Sequence, residues 1–407
     1  MKVFVLGGYG KTGLPAINML AKSDLVSEIA VAGRNMEKAV QAAAVAGEKA
    51  IAIQADGTDE QELNSLLEGY DVMVNAATND AVLPAIRAAI HNRAHYCDMA
   101  WAGILEQAGQ LGPQAEAAGI VAIIATGISP CISNLMGLHA ARQLDEVEQL
   151  QIGRADIFNF ESGQELSPQQ WLEDPYESLT VLQEFRSFIG WMLQRVQDDG
   201  VRTVLIYQES AWVEVNPLKS GLEVPLVQGR TTSRPYMSGD DFWGMLPNIP
   251  SKAKPVEMSF SPFPPQLGAI LQELALSVLE GKLDAEAAIS TFYDTIEGDP
   301  RRWLTPPDDY VSPTKLWINA LGRKDDRAFR SSCWFTAPMW NVNGYFLTSV
   351  ALVAAVLKIM RGEIKTRGVM KAETAFEPLP FFEEVIALLP EPPPDGKLVN
   401  ESFEWLE

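Results

Sequence analysis

The residues with the clearest chemistry stand at the start of the chain, where Lys2 to Leu6 breaks into Gly7, Gly8, Tyr9, Gly10, Lys11, Thr12 and Gly13. Gly8, Gly10 and Gly13 fit G-x-G-x-x-G, and Gly7, Gly10 and Gly13 also fit G-x-x-G-x-x-G. In such a loop one glycine makes a tight turn, one lets a pyrophosphate approach the backbone, and one allows close helix packing. The reading gives these roles to Gly8, Gly10 and Gly13, with a helix N-terminus facing the anion. About twenty residues on, where dinucleotide sites usually carry an acid for a ribose hydroxyl, Gly33 is followed by Arg34. A fixed planar cation there suits a 2′-phosphate, so NADP is expected over NAD. Asp56 stands where such folds approach adenine, with a turn or cap as its other reading. Asn75, Ala76 and Ala77 are small enough to let a flat nicotinamide-ribose lie against the chain.

These residues need strands that end at a common edge. Short strands are expected over Lys2–Leu6, Glu28–Ala32, Ala50–Ile53, Asp71–Ala77, His95–Asp98 and Ile120–Ala125. Helical spacing follows the glycine loop and recurs over Glu60–Leu67, after Asn79 or Asp80 as a cap, over Ile104–Ala118 and over Leu135–Leu144. Strand and helix in alternation predict an α/β, Rossmann-type doubly wound parallel sheet over residues 1–127. Asp98 falls at a carboxyl-terminal strand end, where ligands bind in this architecture. Alternation puts Tyr96 on its side of the sheet, with His95 and Cys97 on the other.

With 407 residues, 47% of them hydrophobic, the chain is long enough for two or three domains. Acidic residues outnumber basic ones 53 to 32, and a formal charge of −21 argues against nucleic acid and anionic membrane surfaces as partners. Cys97, Cys131 and Cys333 are too scattered for a disulfide framework or a cysteine-rich zinc site, so no metal is expected and a cytoplasmic location is. The first apolar run is too short for a signal peptide. Tyr345 to Met360 falls short of the roughly twenty residues of a spanning helix and reads as buried.

Beyond residue 127 strands are expected over Leu150–Ile157, Val201–Ile206, Gly221–Val227 and Val256–Phe260, and helices over Glu184–Gln197 and Gln266–Leu279. Arg230 and Arg234 bracket a loop that could clamp a substrate carboxylate.

The glycine loop, Val74-Asn-Ala-Ala77, Leu83 to Ile90 followed by His95-Tyr-Cys-Asp-Met99, and Gly127-Ile-Ser-Pro-Cys-Ile-Ser-Asn134 together resemble the saccharopine dehydrogenase family. The resemblance covers the first 140 residues, thins in the middle and returns at Gly362–Gly368. It implies a nicotinamide-binding domain at 1–127, an inserted mixed α/β domain at 128–340 for substrate and subunit contacts, and a returning helix and tail at 341–407 on the first domain. It also implies a homodimer, and it adds Asn134 to the substrate-binding candidates. The chain departs from the family's Gly-x-Asp-Pro-Gly-x-x-Asn in having Ser129 for the Asp and Cys131 for the Gly. A neutral hydroxyl thus replaces a group that could meet an ammonium or imine.

No tyrosine is followed by Lys at the fourth place, so the proton-handling pair of short-chain reductases and related epimerases is missing. Asp98, Tyr96, Ser129 and Lys11 are left as candidates to move or orient a proton, Asp98 first. The expectation is an NADP-dependent oxidoreductase acting on a C–N bond, or a carbonyl or enoyl group, of a small molecule. The alternative is a non-catalytic NADP(H)-binding sensor on the same fold.

Overall fold

The computed structural model describes residues 1–99, 104–157, 160–161, 164–165, 204–208, 211–215, 236–237, 257–263, 316–335, 344–393 and 395–406, and, between 270 and 302, residues 270, 273–274, 277–278, 280–300 and 302. The chain divides into two compact units, 1–139 with 344–398, and 140–343 with 399–407. Residues 128–139, expected in the second domain, thus fall in the first, and 399–407, expected to pack on the first, fall in the second.

The first unit starts with β1 (Lys2–Leu6), α1 (Gly13–Ala21), β2 (Glu28–Gly33), α2 (Met36–Ala46), β3 (Ala50–Gln54), α3 (Glu60–Leu66) and β4 (Val72–Asn75). After the exposed Lys2, strand β1 is a buried apolar run, Val3 to Leu6, as expected of a strand covered on both faces. A 3₁₀ turn at Asn79–Ala81 then leads into α4 (Val82–Asn92). Neither Asn79 nor Asp80 caps α4, because the 3₁₀ turn makes Ala81 the residue ahead of it.

Strand β5 (His95–Asp98) is followed by α5 (Leu105–Gly109) and α6 (Gly112–Ala117) where one helix was expected. The break has a local cause: Pro113, at the start of α6, cannot donate to a preceding turn. Strand β6 (Val121–Ile124) and α7 (Ile132–Ala141) complete this part.

In the second unit are β7 (Glu146–Ile157), β8 (Val204–Gln208), β9 (Ala211–Val215), β10 (Tyr236–Met237), β11 (Glu257–Phe263), α8 (Ala285–Gly298), β12 (Leu316–Lys324) and β13 (Arg327–Phe335). The chain then returns to the first unit with α9 (Gly344–Met360), β14 (Gly368–Lys371), α10 (Ala372–Ala375) and α11 (Pro378–Leu388). It ends in the second with β15 (Val399–Trp405). The expectations at Gly221–Val227 and Glu184–Gln197, and most of Gln266–Leu279, lie outside the described residues.

The first unit's sheet has the order β14-β6-β5-β4-β1-β2-β3, and every pair is parallel. The order reverses between β1 and β4, so the ligand crevice of this doubly wound fold opens at their carboxyl ends. Its seventh strand, β14, was not foreseen. Buried side chains pack around the sheet, Phe4, Leu6, Met73, Ile86, Tyr96 and Ile124 among them. Helix α9 is enclosed nearly all round, with Leu347 and Val350 to Val356 at zero exposure, which explains the apolar run from Val350 to Leu357. No helix among the described residues is long and apolar enough to cross a membrane.

The second unit's larger sheet has the order β10-β11-β7-β12-β13-β15. Strands β12 and β13 form a hairpin whose two turn residues, Asp325 and Asp326, both have positive φ, the geometry that matches strand twist in a two-residue turn.

Candidate functional site

Strand β1 delivers the glycine loop to the switch point. Gly7, not Gly8, holds the left-handed turn (φ +76°); a Cβ there would stand 2.7 Å from the Ala76 carbonyl oxygen at the end of β4. A Cβ on Gly13 would stand 2.1 Å from the Gly7 carbonyl oxygen, so α1 begins against the turn only because that position is bare. A Cβ on Gly10 would meet only the Gly7 carbonyl, at 3.2 Å, and the open space beside it belongs to the cleft. Thr12 precedes α1, and its N–H has no hydrogen-bond partner among the described residues, leaving a donor for an anion. Lys11 is exposed, its Nζ 5.3 Å from the centre of the Tyr345 ring.

A cleft of about 220 Å³ lies along this loop, lined by Gly7, Tyr9 and Gly10 of the loop, by Arg34, Asp56 and Thr58, and by Ala76 and Ala77. Arg34 is exposed and makes no ion pair among the described residues. Asp56 Oδ1 accepts from the Thr58 N–H at 2.9 Å and the Thr58 hydroxyl at 2.8 Å. These two bonds, aided by the nearby Arg34 charge, hold the Asp56 carboxyl below its ordinary value, so it is ionised. Asp56 is therefore a turn-making residue and a cleft-lining one at once.

The ends of β4, β5 and β6 are tied by a buried hydrogen-bond chain. The Ala77 N–H donates to Asn75 Oδ1 (3.0 Å), Asn75 Nδ2 donates to the Tyr96 oxygen (3.3 Å), and the Tyr96 hydroxyl donates to Asp98 Oδ2 (2.9 Å). The other carboxylate oxygen accepts from the Ala125 N–H at 2.7 Å. Tyr96 and Asp98 have no exposed surface, and neither lines the cleft. Burial, then the Asp98 charge, pushes the Tyr96 hydroxyl well above its ordinary value, so it stays protonated and can serve as the donor.

Lys11, the fourth proton-handling candidate, is exposed; of Asp98, Tyr96 and Ser129 only Ser129 keeps partial exposure. It sits in the turn after β6, where Ser133 Oγ donates to its hydroxyl at 2.9 Å. Asn134 is buried: its amide donates to Glu373 Oε2 (3.0 Å), while its Oδ1 lies 3.4 Å from the Cys131 N–H. Arg230 and Arg234 lie outside the described residues. Among the described residues no group of three or more His, Cys, Asp or Glu side chains could hold a metal ion.

The sequence reading missed Ser349 and Glu373. Ser349 Oγ, buried on α9, lies 2.6 Å from the Thr12 carbonyl oxygen and 2.8 Å from that of Tyr345. No local signal marks either residue, since the site residues they meet, Thr12 and Asn134, are 337 and 239 positions away.

A parallel sheet with a glycine turn at its switch point, an open cleft and an unpaired helix-start N–H define a dinucleotide-binding domain. Residues 3–123 match the family described as saccharopine dehydrogenase NADP binding domain. Its cofactor is NADP(H), and the bare loop, the open amide and the free cation at Arg34 fit that group. Over the whole chain, the fold is similar to that of apo saccharopine dehydrogenase (L-Glu forming) from Saccharomyces cerevisiae, at 14% identity and a TM-score of 0.60, covering 99% of each chain. It is also similar to homospermidine synthase from Legionella pneumophila, solved in complex with NAD, at 10% identity and a TM-score of 0.51, covering 100% of this chain and 91% of that one. The protein thus has the fold of the saccharopine dehydrogenase-like oxidoreductases.

Proposed function

We propose that the protein is an NADP(H)-dependent oxidoreductase that moves a hydride to or from a C–N bond of a small molecule, with a carbonyl or enoyl group as the further substrate class. The observation that carries the reading is the pairing, across one cleft, of the bare glycine loop with an exposed, unpaired Arg34. The bound cofactor supplies the hydride chemistry; the chain's residues hold it and manage the proton.

In this reading the loop and the Thr12 N–H take the pyrophosphate, and Arg34 takes the 2′-phosphate through charge-assisted hydrogen bonds. Asp56 Oδ2, left over by the Thr58 bonds, accepts from the adenine amine. Asn75 fixes the Ala76–Ala77 backbone through its bond from the Ala77 N–H, giving the nicotinamide-ribose a flat wall. Tyr96 and Asp98 act as positioning groups, because they are fully buried and their described hydrogen bonds tie neighbouring strand ends together. Ser129, the accessible candidate, orients the reacting group, and Ser133 fixes its hydroxyl. We assign substrate binding to the 140–343 unit, with Arg230 and Arg234 as carboxylate ligands, in a cytoplasmic homodimer.

The test is titration of the wild type and Arg34→Ala with NADPH and with NADH, read by nicotinamide fluorescence. Loss of the charge-assisted bonds should weaken NADPH by roughly 10- to 100-fold and leave NADH nearly unchanged. If the wild type binds neither cofactor at micromolar concentration, the reading fails.

A further inference from the structure

The arginine that lines the cleft has no side-chain bond among the described residues, so its reach depends on how its backbone is held. Gly33 and Asn35 flank it. The Gly33 carbonyl accepts from the Ala55 N–H at 3.1 Å, which ties the end of β2 to β3. The Arg34 carbonyl accepts from Gln54 Nε2 at 3.4 Å, a long bond. The Asn35 N–H, by contrast, donates to the hydroxyl of Tyr9 at 3.0 Å, a residue of the glycine loop. Asn35 also caps α2, its Oδ1 accepting from the Lys38 N–H at 3.0 Å.

The Tyr9 ring lies flush on Gly33: a Cβ there would stand 2.6 Å from both Cε1 and the hydroxyl oxygen of Tyr9. One aromatic side chain therefore touches the residue before Arg34 and hydrogen-bonds the residue after it. That side chain starts from the loop that receives the pyrophosphate, and Tyr9, Gly33 and Arg34 all line the same cleft.

We propose that Tyr9 is a specificity-determining positioning residue, a brace from the pyrophosphate loop that sets Arg34 at the distance of a 2′-phosphate. The inference rests on the NADP(H) reading above. The bond that Tyr9 supplies goes to the residue next to Arg34, so the brace acts on the choice between NADPH and NADH. Gly33 is bare because the ring needs its space, and Asn35 joins the brace to the start of α2, its N–H bonded to the Tyr9 hydroxyl and its side chain capping the helix.

The experiment is a cycle of wild type, Tyr9→Phe, Arg34→Ala and the double variant, each titrated with NADPH and NADH by nicotinamide fluorescence after thermal unfolding shows it folded. Removing one hydrogen bond that holds the reader should lower the NADPH-over-NADH preference about fivefold in Tyr9→Phe, with NADH affinity unchanged. In the Arg34→Ala background the same change should have no effect on the preference, since a brace without its reader does nothing. Gly33→Ala, which displaces the ring, should reproduce the Tyr9→Phe loss. An unchanged preference in Tyr9→Phe, or an equal weakening of both cofactors, overturns the brace. Absence of binding in the wild type would instead overturn the NADP(H) reading itself.

Discussion

At the scale of residues, the site is a set of groups whose charge state is fixed by neighbours. His95 shows how this reaches stability. Its Nδ1 accepts from the Val121 N–H at 3.0 Å, a bond only the neutral ring can make. Burial, then the Arg367 charge, pushes its proton affinity below the ordinary 6.5, with Asp71 opposing. The unfolded chain therefore takes up a proton near pH 6.5 that the folded chain refuses. The stabilisation is fully present above that pH and is lost as pH falls towards the lower folded value. Thermal unfolding from pH 8 to 5 should show the wild type losing more stability on acidification than His95→Phe. At neutral pH the variant should itself be less stable by about 1–3 kcal/mol, because a buried N–H loses its acceptor. The chemistry at this scale was partly legible in the sequence. The glycines and Arg34 announce themselves by spacing, whereas the burial of Tyr96 and Asp98 depends on what covers a strand end, which no local pattern records.

At the scale of elements, the six strands of the first part were readable because most are short apolar runs closed by small or polar residues; four begin where expected, and the other two, at Val72 and Val121, one residue later. Strand β14 was not, since its two apolar residues, Val369 and Met370, stand between Gly368 and Lys371 and become a strand only by lying beside β6. The single helix expected over Ile104–Ala118 failed at Pro113, a signal present in the sequence and outweighed by the apolar spacing on either side. Helix α9 was correctly read as buried, but its purpose was not, because Ser349 meets Thr12 across 337 positions. Ser349→Ala should cost about 1 kcal/mol of stability and weaken NADPH and NADH alike by a few-fold, measured by unfolding and by titration. Equal weakening is the signature of support to the pyrophosphate loop, in contrast to the selective effect expected at Arg34.

At the scale of the whole molecule, each unit is assembled from two stretches of chain, so neither is a continuous piece of sequence. The final strand illustrates it. Strand β15 pairs with β13 from Phe329↔Trp405 to Phe335↔Val399, and its Phe403 and Trp405 cover Phe329, with ring centres 6.3 and 4.8 Å away. Arg330 holds Glu404 at 3.1 Å. Deleting residues 399–407 should uncover the β13 edge and Phe329, giving earlier thermal unfolding and aggregation of the kind open sheet edges promote. Cofactor affinity should be retained in the fraction that stays soluble, since the glycine loop and its supports lie in the other unit.

The late arrival of α9 and β14 also bears on how the protein is born. A ribosome adding roughly 5–20 residues per second releases β6 some tens of seconds before its neighbour β14. Through that interval the nascent chain displays the apolar edge Val121–Ile124 with nothing beside it, a natural client for a chaperone. The pyrophosphate loop waits as long for Ser349. Full affinity for the nucleotide is accordingly among the last properties gained, and a translational stall in the middle of the message would leave a six-stranded sheet with the β6 edge open.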